Sequence, residues 1–539
     1  MSDAKICQLL LQGKKFELFK LVENDHTDRS NAIKAMVFAD FYASPLEAKQ
    51  ILPDIKKIEK DVFALYAYIY TKMALGEAEA VPDGIKRLQQ IKQRPLFLGQ
   101  SLLIEYFGRS RDFLKQAELV KLALLQEKNN LDWIYFSILR SLDQANIETE
   151  PLHQVIKKEK RKSPLKQLVL WRLDKNPNQS EKLKQLEELA EKNHSISAIQ
   201  VQLAAMYYNI GFAKKSLLIL DRVAQLNAMD AGQLGRWLSL TMTFAEAQQQ
   251  AEQRLHFAFT KIPKTISQQG QIASYLLVYY WLQGRIKDAY QIVSTYHHFN
   301  KIEISENFRP AQVFFNYILN LCVHWQENQA IYHEIDNKIA VIGESHSQSP
   351  HNTVFYLENK KHQAKSHFVM GCKMFHLGQS NPNIYQEAVR SHLLNIDEQQ
   401  VILFTIGEID CRPEGGIWTA AQKQQKNIIE IITQTVENYI SFLKKETSRH
   451  SKIIIQGIPA PGYELEEKYD PGDKPAFLSM IRCVNEHLKA GALAHGWRFL
   501  DVYAATADQN GQGNGLWHLD GWHLKPSFYQ QADRWLIKP

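Results

Sequence analysis

Two short stretches of this 539-residue chain carry side chains that do chemistry together. Gly343-Glu344-Ser345-His346-Ser347 stands at the end of an apolar run, Lys338-Ile339-Ala340-Val341-Ile342, that reads as a buried strand. Asp520-Gly521-Trp522-His523 lies close to the C-terminus. A serine just past the carboxyl end of such a strand stands at the mouth of an open α/β sheet, where ligands bind. An aspartate three residues before a histidine puts both side chains on one face of a turn. The carboxylate then holds the imidazole, and the imidazole faces the serine. In those roles Ser345 is a nucleophile, and His523 takes its proton and returns it to the leaving group. Asp520 fixes the imidazole tautomer and stabilises its positive charge. His346 and His518 compete with His523 for the base. His518 precedes Asp520 by two residues and is expected to face the other way. Simple turn capping is the plainer role open to Ser345 and to Asp520.

The elements that must position these residues follow from hydrophobic periodicity. Up to about Asn328 apolar residues recur at three- and four-residue intervals and β-type alternation is absent, which predicts an all-α half. Two segments share a pattern there: Leu203, Tyr207, Gly211 and Ser216 in one, Leu276, Tyr280, Gly284 and Ala289 in the other. An aromatic residue, a glycine four on and a small residue five further describe two helices packed across a tight turn. This resembles the tetratricopeptide repeat and implies a solenoid of helical hairpins, with a degenerate unit between about Gly232 and Ala258. An irregular helical bundle is the alternative. After Tyr332 short β-branched runs alternate with helical ones. Candidate strands cover 338–342, 367–370, 400–406, 452–456 and 497–502, with helices near 383–394, 419–447, 476–495 and 527–535. That order predicts a parallel five-stranded sheet covered on both faces, a flavodoxin-like three-layer α/β sandwich. The expected division is residues 1–331, all-α, and 332–539, α/β.

With Gly-Glu-Ser at one end and Asp-Gly-Trp-His at the other, the stretch from Lys338 onward resembles the SGNH/GDSL hydrolase family. That family opens on a Gly-Asp-Ser nucleophile motif and closes on Asp-x-x-His. The resemblance implies the same three-layer fold. It also implies an oxyanion site built from the backbone amide of Ser345, a glycine amide matching Gly371, and an asparagine in a Gly-x-Asn-Asp block. The third block here is Gly407-Glu408-Ile409-Asp410-Cys411-Arg412, with Ile409 where asparagine would stand. An isoleucine side chain donates no hydrogen bond, so either two backbone amides suffice or Asp410 and Arg412 reshape the site. Gly-Glu-Ile-Asp-Cys-Arg looks like the marker of a bacterial subgroup joined to helical repeats or found near surface-polysaccharide enzymes. Glu408, Asp410 and Arg412 are candidate substrate-binding residues, with Arg412 suited to clamp a carboxylate or phosphate. An ion pair stabilising the loop is the alternative. Trp522 and Trp517 are candidates to stack on a sugar ring or to pack in the core. The Pro- and Gly-rich loop from Gly457 to Pro475 is a candidate acceptor site. Cys411 has no histidine dedicated to it in sequence and is set aside as a nucleophile.

Composition narrows the classes of function. With 45% apolar and 23% charged residues the chain is globular, and its length requires more than one core. A formal charge of +6 spread over this length does not argue for nucleic acid. No stretch of about 20 apolar residues predicts a membrane span. The residues after Met1 do not read as a signal peptide. Five scattered cysteines suggest neither a disulfide framework nor a zinc site, so a cytoplasmic protein without a metal is expected. Together with the resemblance these readings imply serine-dependent O-acyl transfer on carbohydrate. The expected activity is an O-acetyltransferase acting on a bacterial surface polysaccharide, with acetyl-CoA as donor. A carbohydrate O-acetyl esterase is the alternative within the same chemistry. A non-catalytic protein that binds partners through its repeats is the alternative outside it.

Overall fold

The computed structural model describes residues 2–539 apart from 93–94, 129, 143–148, 176–177, 226–228, 245–249, 262–264, 302–307, 333–334 and 466–471. Among the described residues every regular element up to Ile331 is a helix, and the first strand begins at Lys338. The two patterned segments are helical hairpins, Ser197–Asn209 with Ala213–Gln225 and Ile266–Leu282 with Ile286–Tyr296. Each turns at its glycine, with φ of +88° at Gly211 and +68° at Gly284, a region open to glycine at no steric cost. The helices Ala231–Thr243 and Ala251–Lys261 lie between the hairpins, and residues 245–249 of that stretch fall outside the described part. No described helix is long and apolar enough to cross a membrane.

The sheet has seven strands: β1 (Lys338–Gly343), β2 (Val354–Leu357), β3 (Lys360–Phe368), β4 (Val401–Phe404), β5 (Ile453–Gln456), β6 (Arg498–Leu500) and β7 (Leu536–Ile537). Their order is β2-β3-β1-β4-β5-β6-β7. The pairs β1–β3, β1–β4, β4–β5 and β5–β6 are parallel, whereas β2–β3 and β6–β7 are antiparallel. This corrects the expected wholly parallel five-stranded sheet: the sheet is mixed, with an antiparallel strand added at each edge. The reason lies in the edge residues. Strand β3 is mostly polar (Lys360, Lys361, His362, Gln363), so an apolar-run criterion catches only its end. The β2–β3 hairpin turns on Glu358 and Asn359, both at positive φ, as a two-residue hairpin loop requires. Their backbone N–H groups donate to the Asp533 carboxylate at 2.7 and 3.0 Å.

Strand side chains alternate between two cores, the period-two consequence of the pleat. Ala340, Ile342, Ile402, Phe404, Ile453, Ile455 and Phe499 join a core with the long helices Ile428–Glu446 and Lys474–Ala494. Ile339, Val341, Leu403, Ile454 and Leu500 join another with Phe528 and Tyr529 of the C-terminal segment. That segment, Pro526–Trp535, is 3-10 helical rather than α-helical. The expected single helix over 419–447 is two, Ile417–Gln424 and Ile428–Glu446, broken at Gln425 in the left-handed region. The first core does not stop at the change of element type. It runs from Leu168 through the second hairpin and helix Arg309–Glu327 into the sheet. Phe314 packs on Phe368 at 5.9 Å, and the His392 ring donates to the Thr243 carbonyl at 2.7 Å.

Candidate active site

Ser345 opens a 3-10 turn two residues past the end of β1. Gly343 permits the close approach of β1 to β4, because a Cβ there would lie 2.0 Å from Thr405 Oγ1. The turn is fixed by its own side chains. The Ser347 hydroxyl donates to the Glu344 carbonyl at 2.8 Å, and the Glu344 carboxylate accepts the His346 N–H at 3.3 Å.

The C-terminal motif meets this turn across 178 residues of chain. His523 Nε2 lies 2.9 Å from Ser345 Oγ, and His523 Nδ1 lies 2.8 Å from Asp520 Oδ2. Asp520 Oδ1 also accepts the backbone N–H of Trp522 and of His523, both at 2.8 Å, so one carboxylate builds the turn and orients the ring. Burial works against its charge, but His523 and these N–H donors outweigh it and hold the Asp520 carboxyl below the usual carboxylate range. Ser345 is 8% exposed and His523 2%. His518 turns away, its Nε2 donating to the Ala460 carbonyl at 2.8 Å. His346 packs 4.9 Å from the His523 ring, and its two ring nitrogens find no hydrogen-bond partner.

No family model matches this chain, and no curated protein matches it.

The remaining predicted residues divide by what they touch. Gly371 follows β3 at φ +67°, and a Cβ built on it would meet nothing within 4 Å. Asp410 anchors the loop that carries Gly371, accepting the N–H of Met374 at 2.8 Å and of Phe375 at 3.2 Å. Burial pushes the Asp410 carboxyl up to about 6 against the pull of those donors. Its contacts therefore support the glycine loop, where the sequence made it a candidate substrate-binding residue. Ile409 sits partly buried in the 3-10 turn Glu408–Cys411. Cys411 is buried, which pushes its thiol well above the ordinary value and leaves it protonated and unreactive.

Arg412 is already engaged. Its Nε donates to both Glu408 oxygens at 3.0 and 2.9 Å and its Nη2 to Oε2 at 2.6 Å. Its guanidinium lies 4.5 Å over the Trp522 ring. Trp522 also packs on Tyr463, with ring centroids 3.9 Å apart. The Trp522 ring is thus committed to Tyr463 and Arg412 rather than free to stack on a sugar, and Trp517 packs on Phe528 at 5.6 Å. Of the Gly457–Pro475 loop, residues 466–471 lie outside the described part.

Glu344, His346 and Glu408 offer ligand atoms within 4.8 Å of one another, the single such group among the described residues. Both Glu408 oxygens are held by Arg412, so the cation of this cluster is a guanidinium. An Arg412→Lys variant keeps one charge but loses the two-nitrogen contact with Glu408. It is expected to lower turnover of a neutral small ester and of an acidic glycan ester by the same factor. Steady-state kinetics on both substrates check this, and a loss confined to the acidic one would assign Arg412 to substrate instead.

Two residues went unassigned in the sequence. Glu344 lies inside the motif, and its Oε2 accepts the Ser345 hydroxyl at 2.6 Å. Tyr317, on helix Arg309–Glu327, stacks on His523, and no sequence signal marks it. Two surface hollows, of about 440 and 340 Å³, lie on the helical half among Trp171, Lys192, Tyr207 and their neighbours. Neither is lined by Ser345, His523 or Asp520.

Proposed function

We propose that residues 332–539 act as an SGNH-type acyl-transfer domain and residues 1–331 as a tetratricopeptide-like solenoid joined to it. The observation that carries this reading is the relay from Asp520 through His523 to Ser345, at 2.8 and 2.9 Å, assembled from two distant motifs. In this reading Ser345 Oγ attacks an acyl carbonyl as its proton passes to His523 Nε2. Asp520 stabilises the resulting imidazolium. The developing oxyanion is received by the backbone amides of Ser345 and Gly371, and the leaving group, the thiolate of CoA or the alkoxide of an oxygen ester, departs with the proton from His523. An acyl-serine remains.

The acceptor decides the activity. A sugar hydroxyl makes the protein a carbohydrate O-acetyltransferase, with acetyl-CoA as donor and a bacterial surface polysaccharide as substrate in a cytoplasmic setting. Water makes it an O-acetyl esterase. The burial of Ser345 and His523 supports transfer, because a covered acyl-serine is shielded from water. The hairpins turning at Gly211 and Gly284 support the solenoid and, with it, a protein or glycan partner for the helical half. The intact relay weighs against a purely non-catalytic protein.

The test is covalent capture. The protein is mixed briefly with p-nitrophenyl acetate or with acetyl-CoA, quenched in acid and digested. Acetylation of the peptide containing Ser345 is expected. With acetyl-CoA, the label is expected to move to an added glycan faster than to water. Absence of acetyl on that peptide with either donor would overturn the acyl-serine reading, and discharge to water alone would convert transferase to esterase.

A further inference from the structure

The helical half reaches the reacting groups. Helix Arg309–Glu327 carries Tyr317, which is buried, and its ring lies parallel to the His523 imidazole with centroids 3.7 Å apart and planes at 19°. The Tyr317 hydroxyl donates to the Ser345 carbonyl at 3.0 Å. One side chain from outside the α/β half therefore touches both the base and the backbone of the nucleophile. Two further contacts hold the same loop. Trp281 Nε1 donates to the Gln348 carbonyl at 3.2 Å, and His351 Nε2 donates to the Leu282 carbonyl at 3.0 Å. Residues 345–351 are all buried beneath this cover.

These contacts have a chemical consequence. The imidazole of a serine–histidine relay must keep one ring plane while its charge changes, since Nδ1 stays on the carboxylate as Nε2 takes and returns the proton. On one edge Asp520 fixes its direction, but a carboxylate leaves rotation about the line of that hydrogen bond cheap. A stacked ring removes that freedom. The carbonyl that Tyr317 binds belongs to Ser345 itself, so the same residue fixes the position of the seryl backbone and its amide.

We propose that the helical half completes the active site, with Tyr317 as a positioning residue that holds the His523 ring plane and the Ser345 turn together. The proposal rests on the acyl-serine reading above. It makes the solenoid part of the catalytic unit, beyond any role in binding a partner. It also means that a chain beginning near Tyr332 lacks part of its site although all three relay residues are present.

The experiment uses the full chain with Tyr317→Phe, Tyr317→Leu and Ser345→Ala, assayed on p-nitrophenyl acetate with thermal unfolding measured in parallel. Tyr317→Phe keeps the stack and loses the bond to the Ser345 carbonyl. A fall in kcat of about three- to ten-fold with KM unchanged is expected. Tyr317→Leu loses both contacts, and a fall of roughly 10- to 100-fold in kcat is expected, again with KM unchanged. The graded series, with phenylalanine recovering much of what leucine loses, marks positioning of the base; general loosening of the fold would depress both variants in step with their melting temperatures. Wild-type kcat in both variants overturns the proposal. If the leucine variant does not fold, wild-type kcat in the phenylalanine variant overturns it alone. Retained turnover in Ser345→Ala would instead overturn the underlying reading, so the two failures are distinguishable.

Discussion

His523→Ala is expected to lower kcat on a small acetyl ester by roughly four to six orders of magnitude, and Ser345→Ala by the same factor. The two residues act as one unit. His523 Nε2 is 2.9 Å from Ser345 Oγ, whose other partner is the Glu344 carboxylate at 2.6 Å. His346, the nearest second imidazole, is buried; burial and the charges of His523 and Arg412 hold its pKa well below the ordinary value. Its Nε2 lies beside Glu408, at 3.8 Å, and it does not take over as base. The double variant should therefore be no slower than either single one. Asp520→Asn should lose less, on the order of 10⁴-fold, because the histidine remains but loses the partner that fixes its tautomer. Release of p-nitrophenol under saturating substrate measures all four proteins. Full activity in Ser345→Ala, or losses that multiply in the double variant, would sink the assignment.

The second large effect concerns Glu344 and pH. Its carboxyl is buried and lies beside the Glu408 charge, and together these push its pKa from 4.5 up to about 7 despite the bond from Ser345. The folded state therefore binds the proton more tightly than the unfolded one. Below pH 4.5 the group is protonated in both states and contributes nothing. As pH rises from 4.5 to 7 the unfolded chain ionises first, so stability falls, and above about 7 the full penalty is present. The penalty corresponds to about 3 kcal/mol. Glu344→Gln removes it, so the stability of the variant relative to wild type should rise by about that amount between pH 4.5 and pH 8. Comparing the two pH values cancels any pH-independent effect of the amide on packing. Denaturant unfolding of both proteins at the two pH values measures it, and an equal difference at both would refute the burial account.

The same ionisation has a consequence for turnover. Protonated, Glu344 donates to Ser345 Oγ and leaves the seryl proton to His523. Ionised, it accepts that proton at 2.6 Å and competes with the base. Turnover is expected to decline as pH passes upward through about 7, and this decline should be missing in Glu344→Gln.

Local chemistry made part of this protein legible in its sequence. Ser345, Asp520 and His523 were legible because each sits in a short motif whose geometry is set within a few residues: a strand end, and a turn that Asp520 caps through two backbone N–H groups. The buried strands β1, β4 and β5 were legible because a strand covered on both faces must be apolar along its whole length. The polar edge was not. β3 and its hairpin partner β2 are specified by the left-handed residues Glu358 and Asn359 and by Asp533 from the far end of the chain. The roles of Arg412 and Trp522 were not legible either, since a guanidinium and an indole free in sequence are committed in space to Glu408 and Tyr463.

The join between the halves was decided by tertiary structure alone. The change of periodicity near residue 332 marks where strands replace helices, yet burial is a property of surfaces, and one core crosses that point. Tyr317 lies in an amphipathic helix like many others, and nothing within its own stretch of chain distinguishes it. Only the packing of helix Arg309–Glu327 over the turn after β1 brings its ring to 3.7 Å from His523. Motifs record contacts that a few neighbouring residues enforce, whereas a contact across 206 positions is enforced by the packing of every element between.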